Sequence, residues 1–535
     1  MLTLLLVPGS LAGPGSAAVS GPLVLDDPLL APLVHAEPQS DDRRYRIRAT
    51  MRVGDLDADG RDDLLLCEWD VRWADTGVGL DGRLVATAVS EGRRLWRVTR
   101  TITKGFPRYP IAARVGPRGR SGVVLLTDTN QNGYALTAAA VDSRGDVAWE
   151  RTFASTYSYD VPTFAAAGVP AMFEPVDALD GAATDFLVGV LDYADIAASR
   201  LVTQMVDGRD GTLVPLGQEV SAGAFPDLAV AGDADADDKP DYAAVVHRPG
   251  TGATVTARSG DDGEEIWSRS GLAAEPPDLY VDAVGDMTRD GIPELAVTAP
   301  PTDDRNAFHV VDGGTGDPMW EGQGNFAFAL GDADGDRRGD LGTKSGWFAE
   351  DRIGEEFFAY GAAGDELYHR RVSRPRGCRA CFVLILLLDA GDIDADGVAD
   401  TFVDRYVFED GRVRRYRYHL SGRRGEMLFD GVPVSPVGAS LDGRGVDLVS
   451  LRPRSRGRLA VTAIDGRGGL PLWRSELRGR PVGAYEPYLA SARLDGDGTP
   501  DVFVTLERGG AVSVVALDGR DGSRLWTYRD RTAAL

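Results

Sequence analysis

One phrase constrains this chain more than any other: Gly-Asp-x-Asp-x-Asp-Gly-x-x-Asp followed by apolar residues. It stands at 54–64, 232–242, 285–295, 331–341, 391–401 and, shortened at its front, 494–502. Weaker relics lie at 116–123, 177–185 and 442–447. A phrase that recurs marks a unit that packs on its own copies, so the chain must fold as a repeat architecture. A second phrase follows each copy after roughly 25 to 40 residues, a Gly-rich turn that ends in an aromatic. Clear copies end at Trp96, Trp149, Trp267, Trp320, Trp473 and Trp526; fainter ones end at Tyr368 and Phe429, and another spans 207–215. Trp96 and Trp526 stand eight steps apart, a mean period of about 54 residues, so nine units are legible.

Short alternating or apolar runs fill the space between the phrases, for example 241–247, 253–258, 295–299 and 512–517, each bounded by Gly, Asp or Pro. That is a strand signal rather than a helix signal. The apolar run 382–388 reads as one more buried strand. Four such strands fit one period. A four-stranded antiparallel unit repeated radially is a propeller blade, whose short edges are protected by closure of the ring. The expected fold is all-β: a single β-propeller of four-stranded antiparallel blades, eight or nine of them, over residues 45–535.

At these residues the chain resembles two propeller families. The Asp-rich phrase resembles the FG-GAP (integrin-α-like, VCBS) repeat, in which a calcium loop joins the first two strands of a blade. The Asp-Gly-x-x-Gly-x-x-x-Trp phrase is similar to the outer-strand turn of quinoprotein-type (PQQ-like) propellers, where the aromatic docks one blade on the next. Together the two resemblances cover about 45–530.

The chemistry of the phrase suits calcium, a hard cation that takes six to eight oxygens. A short loop wraps it only if alternate carboxylates point inward and the chain turns sharply, which the glycine permits. Positions 1, 3, 5 and 9 nominate Asp55, Asp57, Asp59 and Asp63 in the first loop, and Asp392, Asp394, Asp396 and Asp400 in the fifth clear copy. Asp233, Asp235, Asp237 and Asp241 keep four carboxylates with Asp238 at the glycine position. Asp332, Asp334, Asp336 and Asp340 do so with Arg337 there. In the loop Asp286, Thr288, Asp290 and Glu294 a threonine replaces one carboxylate, and the last copy, headed by Arg493, leaves Asp495, Asp497 and Asp501. The expectation is several bound Ca2+ ions, with the loops at 55 and 392 best formed and those at 286 and 495 weakest. Against it stands a plainer use of Asp and Gly as turn formers. The chain carries 82 acidic against 58 basic residues, net charge −24, and the six loops hold most of that excess. Carboxylates packed this closely repel one another without a cation.

The same charge makes nucleic acid and anionic membrane surfaces poor partners. Three cysteines build no disulfide framework: Cys378 and Cys381 could form a local bridge, with Cys67 left over. The five histidines are scattered singly and show no zinc spacing. Residues 1–21 begin with a short apolar stretch and end in small residues but lack a basic start, half of a secretory leader, and 22–44 read as a linker. No other segment reaches about 18 uninterrupted apolar residues, so no membrane insertion is expected.

No nucleophile elbow, phosphate loop, dinucleotide fingerprint or His-Glu-x-x-His occurs. The reading is therefore non-catalytic: a secreted or cell-surface, calcium-stabilised, monomeric scaffold that binds protein or glycan ligands on one loop face. A calcium-dependent polysaccharide lyase is the alternative, and a quinoprotein dehydrogenase-like propeller a further one; both are implied by resemblance alone. Segments that break the period, 106–117, 154–175 and 347–358, are the candidate ligand loops.

Overall fold

The computed structural model describes residues 44–530 apart from 74–79, 106–107, 109, 130–134, 155–170, 177–178, 180–181, 193–198, 223–225, 273–278, 300–306, 325, 350–351, 373–381, 410–411, 431–433, 437–439 and 482–490. The leader 1–21, most of the linker 22–44, Cys378, Cys381, Tyr157 and Tyr159 thus lie outside the described residues. The chain forms a nine-bladed β-propeller, at the upper of the two expected blade numbers. The blades are consecutive: 44–105, 111–154, 171–221, 227–270, 280–323, 326–372, 382–430, 434–478 and 480–530. Seven are plain four-stranded or five-stranded sheets, and blades 1 and 2 merge into one sheet through a parallel contact at Thr103 and Thr129.

Within a blade the strands run antiparallel in sequence order. First strands of neighbouring blades touch, which puts them at the centre of the ring. The two middle strands are buried almost throughout, as in Asp241–Arg248 and Gly252–Arg258, because each sheet face packs on another blade. This is why they read as apolar runs rather than as strict alternation. Outer strands alternate; Glu265–Ser270 buries Trp267 and exposes its neighbours. The expected loop 347–358 proves instead to be paired strand: Asp340–Ala349 and Arg352–Tyr360 form one hairpin, with Trp347 opposite Gly354.

The aromatics are what join the blades. Each outer-turn glycine lies against the aromatic of the preceding blade so closely that an added Cβ would fall 2.7 Å from Trp96 (at Gly145), 2.4 Å from Trp267 (at Gly316) and 2.7 Å from Trp320 (at Gly364). Gly211 on Trp149, Gly425 on Tyr368, Gly469 on Phe429 and Gly522 on Trp473 repeat the contact. Blade 3 has no aromatic at this place, and Gly263 meets the backbone of Leu216. Several indole N–H groups donate to the next turn: Trp149 to the Gly208 carbonyl (2.9 Å), Trp267 to Gly313 (2.8 Å), Trp320 to Ala362 (3.2 Å) and Trp473 to Gly519 (2.6 Å). A buried aromatic with its N–H satisfied is a strong junction.

The same contact closes the ring, with Gly92 of blade 1 resting on Trp526 of blade 9 at 3.4 Å. Among the described residues no strand is exchanged at this seam. It is held by a shared apolar cluster of Leu64, Leu66 and Val89 with Leu494, Phe503 and Val514. A buried hydroxyl pair, Thr50 and Thr505 (2.6 Å), and the ion pair Arg97–Asp530 (3.3 Å) add to it.

Candidate metal centres

The Asp-rich phrase connects the first and second strand of a blade, and the aromatic phrase the third and fourth. In an antiparallel meander both connections fall on the same face of the ring. The leading glycine of the phrase explains itself at the strand end: a register shift falls between Arg52 and Gly54, Val230 and Gly232, and Asp389 and Gly391, and these glycines take left-handed φ of 74°, 80° and 66°. The bulge turns the chain into the loop.

All six loops then share one backbone path, left-handed at positions 4 and 6. The pairs are Ala58 and Gly60, Ala236 and Asp238, Arg289 and Gly291, Gly335 and Arg337, Ala395 and Gly397, and Gly496 and Gly498. Non-glycine residues are thus held in an unfavourable conformation at about 1–2 kcal/mol each. The aspartates impose it. Asp55 accepts from the N–H of Asp59 (3.1 Å) and Gly60 (2.8 Å); Asp233 from Asp237 and Asp238; Asp392 from Asp396 and Gly397. Position 5 caps two residues on, as in Asp59 to Arg61 and Asp396 to Val398.

Position 9 does more than the sequence suggested. Its carboxylate is buried and accepts the N–H of position 2: Asp63 from Leu56 (2.8 Å), Asp241 from Ala234 (2.6 Å), Glu294 from Met287, Asp340 from Ala333 (2.6 Å), Asp400 from Ile393 (2.7 Å) and Asp501 from Leu494 (2.8 Å). With its other oxygen it accepts from the glycine of the aromatic phrase, Asp241 from Gly260 (3.0 Å), Asp400 from Gly422 (2.9 Å) and Asp501 from Gly519 (3.1 Å). Position 9 therefore clamps the two phrases together. Two of the relics keep this clamp: Asp185 accepts from Leu179 and Gly208, Asp447 from Leu441 and Gly466. In blade 6 the second oxygen, Asp340 Oδ1, is buried with no hydrogen-bond partner among the described residues.

Burial pushes these acids up, Asp63, Asp241, Asp340 and Asp501 to about 6 and Glu294 and Asp400 to about 7. In Asp63 and Asp400, for example, the neighbouring carboxylates Asp57 and Asp394 add to the rise. An oxygen-only set of close, partly buried carboxylates is the donor chemistry of a hard divalent cation, not of zinc or copper.

Five groups bring three carboxylate oxygens within 4.8 Å of one another: Asp55, Asp57 and Asp63; Asp233, Asp235 and Asp241; Asp332, Asp334 and Asp336; Asp392, Asp394 and Asp400; and Asp495, Asp497 and Asp518. Each could hold a metal ion. Of the nominated residues, Asp59, Asp237, Asp340, Asp396 and Asp501 stand in the loops but outside these triads, and Asp286, Thr288, Asp290 and Glu294 assemble none. Asp518 was not nominated. It opens the aromatic phrase of blade 9, and the lost position 1 of that loop, Arg493, was the signal that a donor had to come from elsewhere. Three loops carry a built-in cation, with Arg423 Nε 3.1 Å from Asp396 Oδ2, Arg520 Nε 2.9 Å from Asp497 Oδ2 and Arg338 Nε 3.8 Å from Asp336 Oδ2.

The loops also touch one another. A position 8 N–H donates to the position 1 carbonyl of the preceding blade: Gly339 to Asp286 (2.7 Å), Val446 to Asp392 (2.8 Å) and, across the seam, Asp62 to Arg493 (2.8 Å). What happens in one loop is thereby felt by the next.

The singly placed groups are structural. Cys67 is buried, and burial pushes its thiol up, so it is poorly reactive. His419 is buried against Phe402 and His369 stacks on Phe358. Among the described residues no helix is long and apolar enough to cross a membrane.

Comparison with known proteins gives a partial family match. A model described as outer membrane protein assembly factor BamB (PQQ_2) matches residues 443–535, the last two blades. This agrees with the quinoprotein-type reading of the aromatic turns. No curated protein sequence matches. Among solved structures, similarity is found to the V. cholerae biofilm matrix protein Bap1, at 10% identity over 91% of this chain and 88% of that one, TM-score 0.36. A europium-containing methanol dehydrogenase is similar at 12% identity over 87% and 81%, TM-score 0.32. A Synechocystis apocarotenoid oxygenase is similar at 12% identity over 94% and 96%, TM-score 0.31.

Proposed function

We propose that this chain is a secreted or cell-surface β-propeller whose Asp loops bind several calcium ions, and that it works as a non-catalytic, monomeric scaffold for protein or glycan ligands. The observation that carries the reading is the set of five carboxylate triads, all formed by loops on one face of the ring. The FG-GAP-like phrase supports calcium as the ion, since its carboxylates at alternate positions are what a calcium loop requires. The Asp340 oxygen buried without a partner among the described residues favours a cation in blade 6. A non-catalytic role is supported by how the conspicuous groups are used. The position 9 acids clamp backbone, and Trp473, inside the segment matched by the family model, is buried against Gly522 as a blade junction.

Each ion at ten times its dissociation constant adds about 1.4 kcal/mol, so five sites together add about 7 kcal/mol. Thermal unfolding of the purified chain in chelator, followed by a calcium titration, tests the reading. The expected result is a large rise in Tm that saturates with calcium. An unchanged Tm would leave the aspartates as turn formers only.

A further inference from the structure

On the face opposite the Asp loops, blades 8 and 9 leave a cleft of about 500 Å³ lined by Arg456, Arg458, Arg478, Arg480, Arg508 and Glu507, with four glycines forming its floor and rim. It is built from the two hairpins that join second to third strands, at 455–457 and 508–510, and from the link between the blades at 478–480. Backbone contact draws the parts together, the Gly479 N–H donating to the Gly457 carbonyl at 2.9 Å. Five arginines around one small cavity are conspicuous in a chain of net charge −24. Only two of them have a carboxylate close by. Arg458 pairs with Glu476 (3.2 Å) on the exposed strand, and Arg480 approaches Glu507 (3.8 Å), which is shared with Arg48 (3.6 Å). Arg456, Arg478 and Arg508 have no ion pair or hydrogen bond among the described residues. Arg456 is kept at the hairpin tip in a left-handed conformation, φ 61°, that glycine would take at lower cost.

We propose that this cleft is a binding site for the oxyanion groups of an acidic polysaccharide. Guanidinium forks match carboxylate and sulfate oxygens in paired hydrogen bonds, and a cavity of this size takes one or two sugar rings. DNA carries a charge about every 1.7 Å of helix axis and would run beyond the cleft onto an acidic body. A glycan with one oxyanion per one or two sugars can place its charges in the cleft alone. The lining offers no aromatic ring for bases to stack on and no apolar side chain to enter a membrane. The site rests on the scaffold reading for its choice of a glycan and is independent of the calcium loops, which lie on the other face.

Titration calorimetry of the whole chain in calcium buffer tests it. A hyaluronan hexasaccharide, with a carboxylate on alternate sugars, is the first probe, a chondroitin sulfate hexasaccharide the second, and maltohexaose the neutral control. Binding of either acidic oligomer is expected, weakening with salt and absent for maltohexaose; which acidic oligomer binds identifies the oxyanion as carboxylate or sulfate. The double variant Arg456→Glu with Arg478→Glu should lose at least tenfold in affinity, and the single exposed Arg456→Ser about threefold. Arg144→Glu, on the Asp-loop face, should lose nothing, and all variants should keep the calcium-raised Tm. Equal binding by the charge-reversed variant, no binding of either acidic oligomer, or tighter binding of single-stranded DNA through the same arginines would overturn the proposal. Failure here with an intact calcium response sinks the cleft and leaves the calcium reading standing.

Discussion

The two faces of this ring are made in different ways. On the Asp-loop face six blades repeat a loop that turns left-handed twice and closes on a buried position 9 acid, and eight rest a glycine under the neighbour's aromatic. Among the described residues the opposite face repeats no such loop. Its connections range from the tight hairpin at 508–510 to the long link between the strands Val147–Ala154 and Ala171–Val176, and one pair of blades gathers a cluster of arginines. Repetition is what a shared structural task produces, since every blade must be joined to the next by the same contacts. Variation is what a binding surface produces on a fixed scaffold. The comparison gives one face a shared structural task and leaves the other free for the proposed recognition.

That division can be broken by mutation. The largest single effect should come from Trp267→Ala, which empties a junction and strands the Gly313 carbonyl; a loss of about 3–5 kcal/mol in denaturant unfolding is expected. Exposed Arg508→Ala on the opposite face should change stability by less than about 0.5 kcal/mol. Equal losses at the two positions would end the division.

Next comes a split within the Asp-loop face. Asp400→Ala strands the N–H groups of Ile393 and Gly422 and removes a triad member as well, so it should cost about 3 kcal/mol in chelator and about 1.4 kcal/mol more in calcium. Asp394→Ala removes a triad member and should cost about 1.4 kcal/mol in calcium and little in chelator. The two variants, unfolded with and without chelator, separate clamp from ligand.

A pH series in chelator sharpens the same point. The position 9 acids are raised above their unfolded values of 3.8 for Asp and 4.5 for Glu, to about 6 or 7. The folded ring therefore holds these protons more tightly than the unfolded chain. Their contribution is complete below about pH 4 and is lost as pH rises through 6 to 7. Tm in chelator should fall across that window, and calcium should restore it. The smallest effect is a gain: Ala395→Gly relieves the φ of 57° and should stabilise by about 0.5 kcal/mol, net of the greater freedom glycine has when unfolded.

Much of this was legible in the sequence, because the Asp-loop face is written in short local phrases. Strand class, blade number to within one, the junction role of Trp96 to Trp526 and the loop carboxylates all follow from residues close in sequence. What escaped depends on distance. That Asp400 reaches the N–H of Gly422, or that Asp518 joins Asp495 and Asp497, is set by strand register 20 or so residues away. That Arg456, Arg478 and Arg508 share one cleft is set by the approach of two blades. The segment 347–358 looked like an insertion because its hairpin is longer than that of blade 5, and long strands pair without any local mark.

The central claim concerns where cations sit, so the direct measurement is a long-wavelength diffraction experiment on crystals grown in calcium. The account predicts anomalous peaks in the loops of blades 1, 4, 6, 7 and 9, strongest where position 9 completes the triad, and none in the blade 5 loop around Thr288. Crystals soaked in saturating calcium that show no peak at any of the five triads would contradict it.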